Sequence, residues 1–531
     1  MSEAAATPSY FETGWTGGRN PWAIALVVTM ATFMEVLDTS VANVSLPHIA
    51  GDLSVTSDES TWVLTSYLVS NAVILPISGW LATRFGRKRF YMACVALFTV
   101  TSLLSGLAPS LGWLIFFRIL QGLGGGGLAP SEQAILVDTF PPVKRGMAMA
   151  IYGMAVVLAP AIGPTLGGYI TDHSSWRWIF FINVPVGIAS LYFSHRFVTD
   201  PPHLKRMREQ AGPIDYVGLS LVALGLAFLQ YVLDRGQEAD WFHSTEIVIF
   251  AVASAAFLIG FVFWEWRQPH PVIDLHMFKN RTFASSNVMM LILGFSLYGT
   301  TVMLPLFEQT LLGYTAERAG LSLSPGGFVV MALMPLVGYL MSHVSVRSMI
   351  GFGLAALSLS LLYMSHHLYV GVDFHTVWLL RVYQMLGMAF LFVPINSIAY
   401  VGTPPEKSNA VSGMMNVSRN IGGSIGISFV TTLVARRSQF HESQLANSTN
   451  MYNPAFTARL QGLAHAFQSV GSSSIDATHQ GLAAIYRQMQ LQASQLAYLD
   501  AIHILAIAVA CMLPLLLLVK SPKPGEANTA A

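Results

Sequence analysis

Long apolar runs alternate with short polar joints along this chain, and the length of the runs sets the first reading. Crossing a hydrocarbon layer as a helix takes about 20 apolar residues. Fourteen stretches meet that need. They start near Trp22, Thr61, Phe90, Gly112, Gly146, Trp176, Tyr216, Thr245, Phe283, Ala316, Ser348, Thr376, Ser408 and Leu499. Backbone groups in lipid must be satisfied within the chain, so each run is expected to be a helix, and internal Gly and Pro are tolerated there. One stretch breaks the alternation. Residues 436–498 are polar and rich in Gln, Ser, Ala and His, with segments such as LAAIYRQMQLQASQLAYL that read as amphipathic helix. They are expected outside the membrane, as a solvated cap or as a docking surface for a partner protein.

The cations sort onto one side. With the N-terminus inside, the inner joints hold Arg19, Arg84, Arg87, Lys88, Arg89, Lys144, Arg145, Arg196, Lys205, Arg206, Arg208, Arg267, Lys279, Arg281, Arg347, Lys407, Lys520 and Lys523. The short outer joints hold Arg177, Arg235 and Arg318. That bias places both termini in the cytoplasm.

An internal repeat organises the runs. RILQGLGGGGLAP, from Arg118 through Gln121 and Gly124 to Pro130, returns as RVYQMLGMAFLFVP, from Arg381 through Gln384 and Gly387 to Pro394. At the same offset Pro141, Pro142 and Lys144 pair with Pro404, Pro405 and Lys407, and Gly163 with Gly426. Related halves of this kind are a common build for secondary transporters. The expected fold is therefore an all-α integral membrane protein with 14 transmembrane helices, arranged as two pseudo-symmetric six-helix halves plus two inserted linker helices. The divisions are a tail 1–20, a first bundle 21–198, a linker 199–282 with the two extra helices, a second bundle 283–520 that includes the outer segment 436–498, and a tail 521–531.

Composition agrees and excludes other classes. The 531 residues are 53% hydrophobic and 10% charged, against roughly 25% charged in soluble chains. A net charge of +1 gives no reason to expect nucleic acid. Cys94 and Cys511 sit in apolar runs with no metal spacing. There is no GxxxxGKS/T, GxSxG or HExxH pattern, so neither an ATP engine nor a hydrolase or zinc site is expected. The first apolar run is too long for a signal peptide.

Ionisable residues at bilayer depth are the candidate chemistry. Glu35 and Asp38 share a helix face in MEVLDTSVANVSLP. Asp38 lies about 24 Å along the first span, and Arg118, on a span running the other way, reaches a comparable depth. An Asp38–Arg118 partnership is geometrically allowed. Glu132 follows Arg118 on nearly the same face, roughly 21 Å on. A line of carboxylate, cation and carboxylate suits a proton relay; the alternative is a static ion pair that fixes helix register. The run Gly124–Gly127 permits close helix approach. Arg419 is expected to snorkel or to act, Glu308 to form a solvated lip, and Asp138 to gate or to close a helix end.

Together these segments resemble the major facilitator superfamily, in particular the fourteen-helix drug:proton antiporters of the EmrB/QacA type. GWLATRFGRKRF (Gly79, Arg84, Gly86, Arg87, Lys88) is similar to the family's loop between the second and third helices. LIFFRILQGLGGGG resembles its arginine motif on the fourth helix, GMAVVLAPAIGPTLGG (Gly153, Pro160, Gly163, Pro164, Gly167, Gly168) its antiporter motif, and LDTSVANVSLP its first-helix motif, with WRWIFFINVPVG adding to the match. Thr83 stands where the family usually has an acid. The resemblance implies an exporter of hydrophobic or amphiphilic molecules, driven by protons without any cofactor. It implies coupling through Asp38 and Arg118, with Glu35 and Glu132 as further candidates, and a packing hinge from Gly153 to Gly168. Loop residues Arg84, Arg87 and Lys88 would be offered to helix ends and to Asp138. The outer segment resembles that of the EmrB-like branch, which implies a bacterial inner membrane, a periplasmic membrane-fusion adaptor and an outer-membrane channel. Proton-coupled import, export of one dedicated compound, and a non-transporting scaffold are the rival readings.

Overall fold

A computed structural model describes residues 16–518 apart from 17, 202–203, 205–214, 270, 404–406 and 448. Most of the expected tails, and Lys205, Arg206, Arg208, Pro404, Pro405, Lys520 and Lys523, lie outside the described residues.

The first half comprises α1 (Pro21–Asp52), α2 (Ser57–Phe85), α3 (Arg87–Gly106), α4 (Leu111–Gly125), α5 (Leu128–Thr139), α6 (Pro142–His173), α7 (Trp178–Phe181) and α8 (Asn183–Phe197). The inserted pair is α9 (Tyr216–Arg235) and α10 (Thr245–Glu265). The second half comprises α11 (Arg281–Leu311), α12 (Ala316–Leu340), α13 (Val346–His367), α14 (Phe374–Ile398), α15 (Ser408–Ala446), α16 (Pro454–Ser469) and α17 (Ser474–Ala510). Helix starts fall where polar side chains can cap free backbone N–H groups. Thr56 and Glu59 form a reciprocal capping box at α2, and Asn280, Thr315, Ser345 and Asp373 cap α11 to α14.

Thirteen helical stretches among the described residues are long and apolar enough to cross a membrane, counting α4–α5 and α7–α8 as one each. α15 falls short on apolarity but runs the same depth of the bundle, packed on α11, α17 and α2. Its Asn409, Ser412, Asn416 and Arg419 are buried inside the protein instead of facing lipid. The fold class is the one expected from the sequence: an all-helical, multi-pass membrane protein.

The halves repeat one packing scheme. In the first, α6 lies on α1; in the second, α15 lies on α11. The repeat-related glycines sit at these two seams. A methyl group at Gly163 would meet Ser40 Oγ at 2.3 Å, and one at Gly426 would meet the Phe295 carbonyl oxygen at 2.3 Å. Small residues let such backbones approach, as membrane helices require in the absence of a hydrophobic driving force. Two seams join the halves, α6 on α12 and α2 on α15. α9 leans on α2 and α15, while α10 packs mainly on α9 and exposes Ile249, Val252, Ile259 and Val262.

One departure from the sequence reading has a clear cause. The fourth span is broken: α4 ends at Gly125 and α5 starts at Leu128. Its glycines press against two neighbours at once, with the Gly124 site 2.9 Å from Cys94 O and the Gly126 site 2.6 Å from Asn71 O. Arg118 and Glu132 therefore do not share one continuous helix. The outer segment is helical, as its pattern suggests. α15 continues to Ala446, α16 packs on α17, and α17 runs unbroken from Ser474 into the last span. The extensions are tied by Arg437 Nε to Asp500 Oδ2 at 2.5 Å, His441 Nε2 to the same oxygen at 2.8 Å, and Ser438 to Ser494 at 3.1 Å. We call this end the hairpin face, and the end carrying Arg87 and Lys144 the basic face.

The α11–α15 seam has no spare room. A methyl group at Gly422 would lie 1.9 Å from the Leu291 carbonyl oxygen, whereas one at Gly51 meets nothing within 4 Å. Gly422→Leu is expected to cost at least about 1–3 kcal/mol by overpacking and to lower the melting temperature of the detergent-solubilised protein by several degrees. Gly51→Ala should leave it unchanged.

Candidate functional site

The first half is built around a guanidinium with no exposed surface. Arg118, on α4, is 0% exposed and Asp38, on α1, is 2% exposed. Arg118 Nη1 meets Asp38 Oδ2 at 2.5 Å and Gln121 Oε1 at 2.9 Å, and Arg118 Nε donates to Val63 O at 3.0 Å. The other carboxylate oxygen, Asp38 Oδ1, accepts from Gln121 Nε2 at 3.0 Å and from Asn183 Nδ2 at 2.7 Å. Asn183 also donates to Ser102 Oγ at 3.0 Å. The Tyr67 ring lies 4.4 Å beneath the guanidinium carbon, which adds a cation–π contact in a dry setting. The pair thus joins α1, α2, α3, α4 and α8. Charges removed from water are tolerable only when paired and hydrogen-bonded in this way.

The repeat-related site lacks the carboxylate. Arg381 donates to Gln384 Oε1 at 2.8 Å, Thr301 Oγ1 at 2.8 Å and Thr300 Oγ1 at 3.3 Å. The arginine and glutamine are kept in both halves, and threonines replace the aspartate. Glu308, about two turns along α11, is 0% exposed, and its two carboxylate oxygens lie 2.6 and 2.8 Å from the single Ser322 hydroxyl. A solvated lip is therefore the wrong description of Glu308.

Glu35 stands near but apart from Asp38. Its Oε1 accepts from Tyr67 Oη at 3.1 Å and Asn71 Nδ2 at 3.2 Å. It lines a cavity of about 80 Å³ with Tyr67, Asn71, Tyr298, Arg419 and Asn420. Arg419 is 6% exposed, so it does not snorkel. Its Nη1 donates to Tyr152 Oη at 2.8 Å, Tyr152 donates to Asn416 Oδ1 at 3.2 Å, and Asn416 donates to Gln133 Oε1 at 3.0 Å. Glu132, 0% exposed, accepts from Thr29 Oγ1 at 2.6 Å, and its second oxygen has no partner. Arg118 and Glu132 are not in contact.

The antiporter segment presents two faces, not one. Gly163 and Gly167 face Ser40 and Val41 of α1, whereas Gly153 faces Met334 and Phe392 of the other half. Gly168 stands 3.9 Å from Glu317, in ordinary contact. α6 continues unbroken through Pro160 and Pro164. Pro164 has no N–H to give the Pro160 carbonyl, and Ser40 Oγ donates to that carbonyl instead at 3.4 Å.

At the basic face the loop motif ties helix ends across the halves. Gly79 packs on the Asn409 carbonyl, where a methyl group would sit 2.8 Å away. Gly86 adopts φ +93°, a turn that favours glycine. Arg84 is the basic residue in the last turn of α2. Arg87, 1% exposed, meets Asp138 Oδ2 at 2.5 Å and Ala134 O at 2.9 Å, and it reaches Ser408 Oγ in the other half at 3.3 Å. Lys88 is held by Asp200 through its amide at 2.8 Å and by His195 O through Nζ at 2.7 Å. Thr83 accepts from Asn409 Nδ2 at 3.4 Å. The cross-link that an acid would make is neutral here. Nearby, Lys407 Nζ meets Asp274 Oδ2 at 2.6 Å. Partial burial pushes that carboxyl up, but the Lys407 hydrogen bond and charge outweigh it and hold it below the ordinary range.

Asn183, Tyr67, Asn71, Ser102 and Tyr152 complete these networks and were not singled out from sequence. Asn71 and Asn183 carried a usable signal, being amides inside apolar runs.

Known proteins share this pattern. The profile described as Major Facilitator Superfamily matches residues 28–427. The multidrug export protein EmrB of Escherichia coli K12 is 37% identical over 464 residues, covering 86% of this chain and 90% of its own. The fatty acid resistance protein FarB of Neisseria gonorrhoeae is 38% identical over 467 residues, with the same coverage of each. Among solved structures, the proton:xylose symporter XylE, bound to 6-bromo-6-deoxy-D-glucose, superposes with a TM-score of 0.58 at 14% identity, over 79% of this chain and 90% of its own, a likeness of fold alone. A chain matched over most of its length at this identity belongs to the Major Facilitator Superfamily, in its EmrB-like drug:proton antiporter branch.

Proposed function

We propose that this protein exports hydrophobic and amphiphilic small molecules across a bacterial inner membrane by alternating access, driven by protons and needing no cofactor. The observation that carries the reading is the caged Asp38–Arg118 pair. Asp38 accepts three hydrogen bonds, one of them from a buried cation. Protonating Asp38 would cancel its charge and leave Arg118 with neutral acceptors only. Such a change in a low-dielectric core is large enough to favour a different packing of α1 against α4. A proton taken up from one side and released to the other then biases which side is open. Glu35 and Glu132 are further stations for the same proton. The α6 segment from Gly153 to Gly168 serves as the packing hinge, and the Arg87–Asp138–Ser408 contacts serve as the latch of the basic face.

The EmrB relative supports multidrug export. The outer hairpin of α15 to α17 gives a periplasmic adaptor and an outer-membrane channel a place to dock, with both termini on the cytoplasmic side. In this reading the chain is a secondary transporter and catalyses no covalent step. A narrower role, export of one dedicated compound, draws support from the relative named for fatty acid resistance. The breadth of a resistance panel separates the two.

Asp38→Asn should abolish protection in an efflux-deficient bacterial host, at equal membrane expression, against every compound the wild type removes. Arg118→Lys should lose at least tenfold in export rate, since one ammonium cannot reproduce the fork that spans Asp38, Gln121 and Val63. Protection by Asp38→Asn equal to wild type would end the coupling assignment. Arg87→Gln removes the guanidinium that meets Asp138, Ala134 and Ser408, and breaking such a buried pair costs roughly 3–5 kcal/mol. It should reduce export more than tenfold and raise the labelling rate of a cysteine placed at Ser408.

A further inference from the structure

Three arginines other than Arg419 are buried at depth or at the basic face, and each makes three hydrogen bonds, although each also keeps one guanidinium nitrogen without an acceptor. Arg118 and Arg87 each hold a carboxylate at 2.5 Å. Arg381 gives three hydrogen bonds to Gln384, Thr300 and Thr301. Arg419 differs. It makes one hydrogen bond, to Tyr152, and its Nε is buried without an acceptor. Among the described residues no carboxylate forms an ion pair with it. The Tyr152 and Phe392 rings lie 6.0 and 5.9 Å from its guanidinium carbon. The Tyr152–Asn416–Gln133 chain fixes its position without neutralising it.

This guanidinium lines the cavity of about 80 Å³ that also holds Glu35. A second cavity of about 230 Å³ adjoins it and shares Leu68, Tyr298 and Asn420. Its far wall comes from the inserted helix α9, through Gln230 and Leu233, and Ser424 Oγ donates to Gln230 Oε1 across it at 2.8 Å. The two cavities adjoin at these shared residues, and the larger presents mostly apolar surface, with Asp234 and Glu238 among its lining side chains. A buried cation short of acceptors, aimed into such a space, is costly unless an anion completes it. A planar carboxylate fits a guanidinium fork best.

We propose that the Arg419 cavity receives the carboxylate of an amphipathic organic acid, whose apolar part lies in the adjoining cavity walled by α9. This rests on the export function proposed above and names one class of its substrates. The inserted helix then acts as a wall of the substrate path as well as a link between halves. Glu35 lines the same small cavity, so its carboxylate and the ligand's compete for the same cation. Two carboxylates in one small cavity do not both ionise easily.

The test is calorimetric binding to the purified full-length protein, with 2-naphthoate as probe and 2-naphthamide as its uncharged counterpart. Wild type should bind the acid at least tenfold more tightly than the amide. Arg419→Gln should remove that preference while keeping amide binding, and Glu35→Gln should raise it several-fold. Equal binding of acid and amide by wild type overturns the proposal, as does a preference that survives Arg419→Gln. Should Arg419→Gln fail to fold, Glu35→Gln decides alone: a preference that does not rise overturns the assignment. The two readings fail separately. Asp38-dependent export of uncharged compounds, without an acid preference in binding, leaves proton-driven export standing and ends the head-group site. An acid preference without any Asp38-dependent export does the reverse.

Discussion

A guanidinium inside a bilayer has to be answered by other groups of the protein, and the first half of this molecule is organised by that demand. Arg118 draws Asp38 from α1, Gln121 from its own helix and the Val63 carbonyl from α2, and through Asp38 it brings in Asn183 from α8. No single helix could supply such a shell. The helices must come close, and the glycines of α4 and α6 permit it. The second half keeps the arginine and glutamine but answers them with hydroxyls. One half thus holds a carboxylate counter-charge at this position and the other holds only neutral acceptors.

Much of the architecture was legible because lipid imposes a simple rule on sequence. Apolar length gave the spans, and the repeat of RILQGLG in RVYQMLG gave the halves. α15 shows where the rule weakens. Its Asn416, Arg419 and Asn420 depress its apolarity because they face an interior that hydropathy cannot see. The break at Gly126–Gly127 was hidden for a related reason. Glycine signals close approach but does not say whether the helix bends to achieve it. The polar run 436–498 reads as helix and is helical, but its pattern does not show that α15 and α17 carry it as direct continuations of two spans.

The site was partly legible. Asp38 and Arg118 could be set at a common depth, since both lie on rods of known rise, and depth alone allows their pairing without fixing it. Glu308 and Arg419 could not be placed, because their surroundings come from helices far away in sequence: Ser322 for one, Tyr152 for the other. The two faces of α6 were also out of reach. Gly153 and Gly163 look equivalent in a motif, but one meets the opposite half and the other its own.

The unbroken course of α17 has a mechanical consequence. From Leu499, near the membrane end of its polar part, back to Ser474 the helix extends about 37 Å. A rod of that length turns a small rotation of its base into a large excursion of its far end; a tilt of roughly ten degrees moves the tip by about 6 Å. The clasp of Arg437 and His441 on Asp500 makes α15 follow the same movement. Whatever rests on the hairpin is thereby coupled to the posture of the second half, as a load is to a lever.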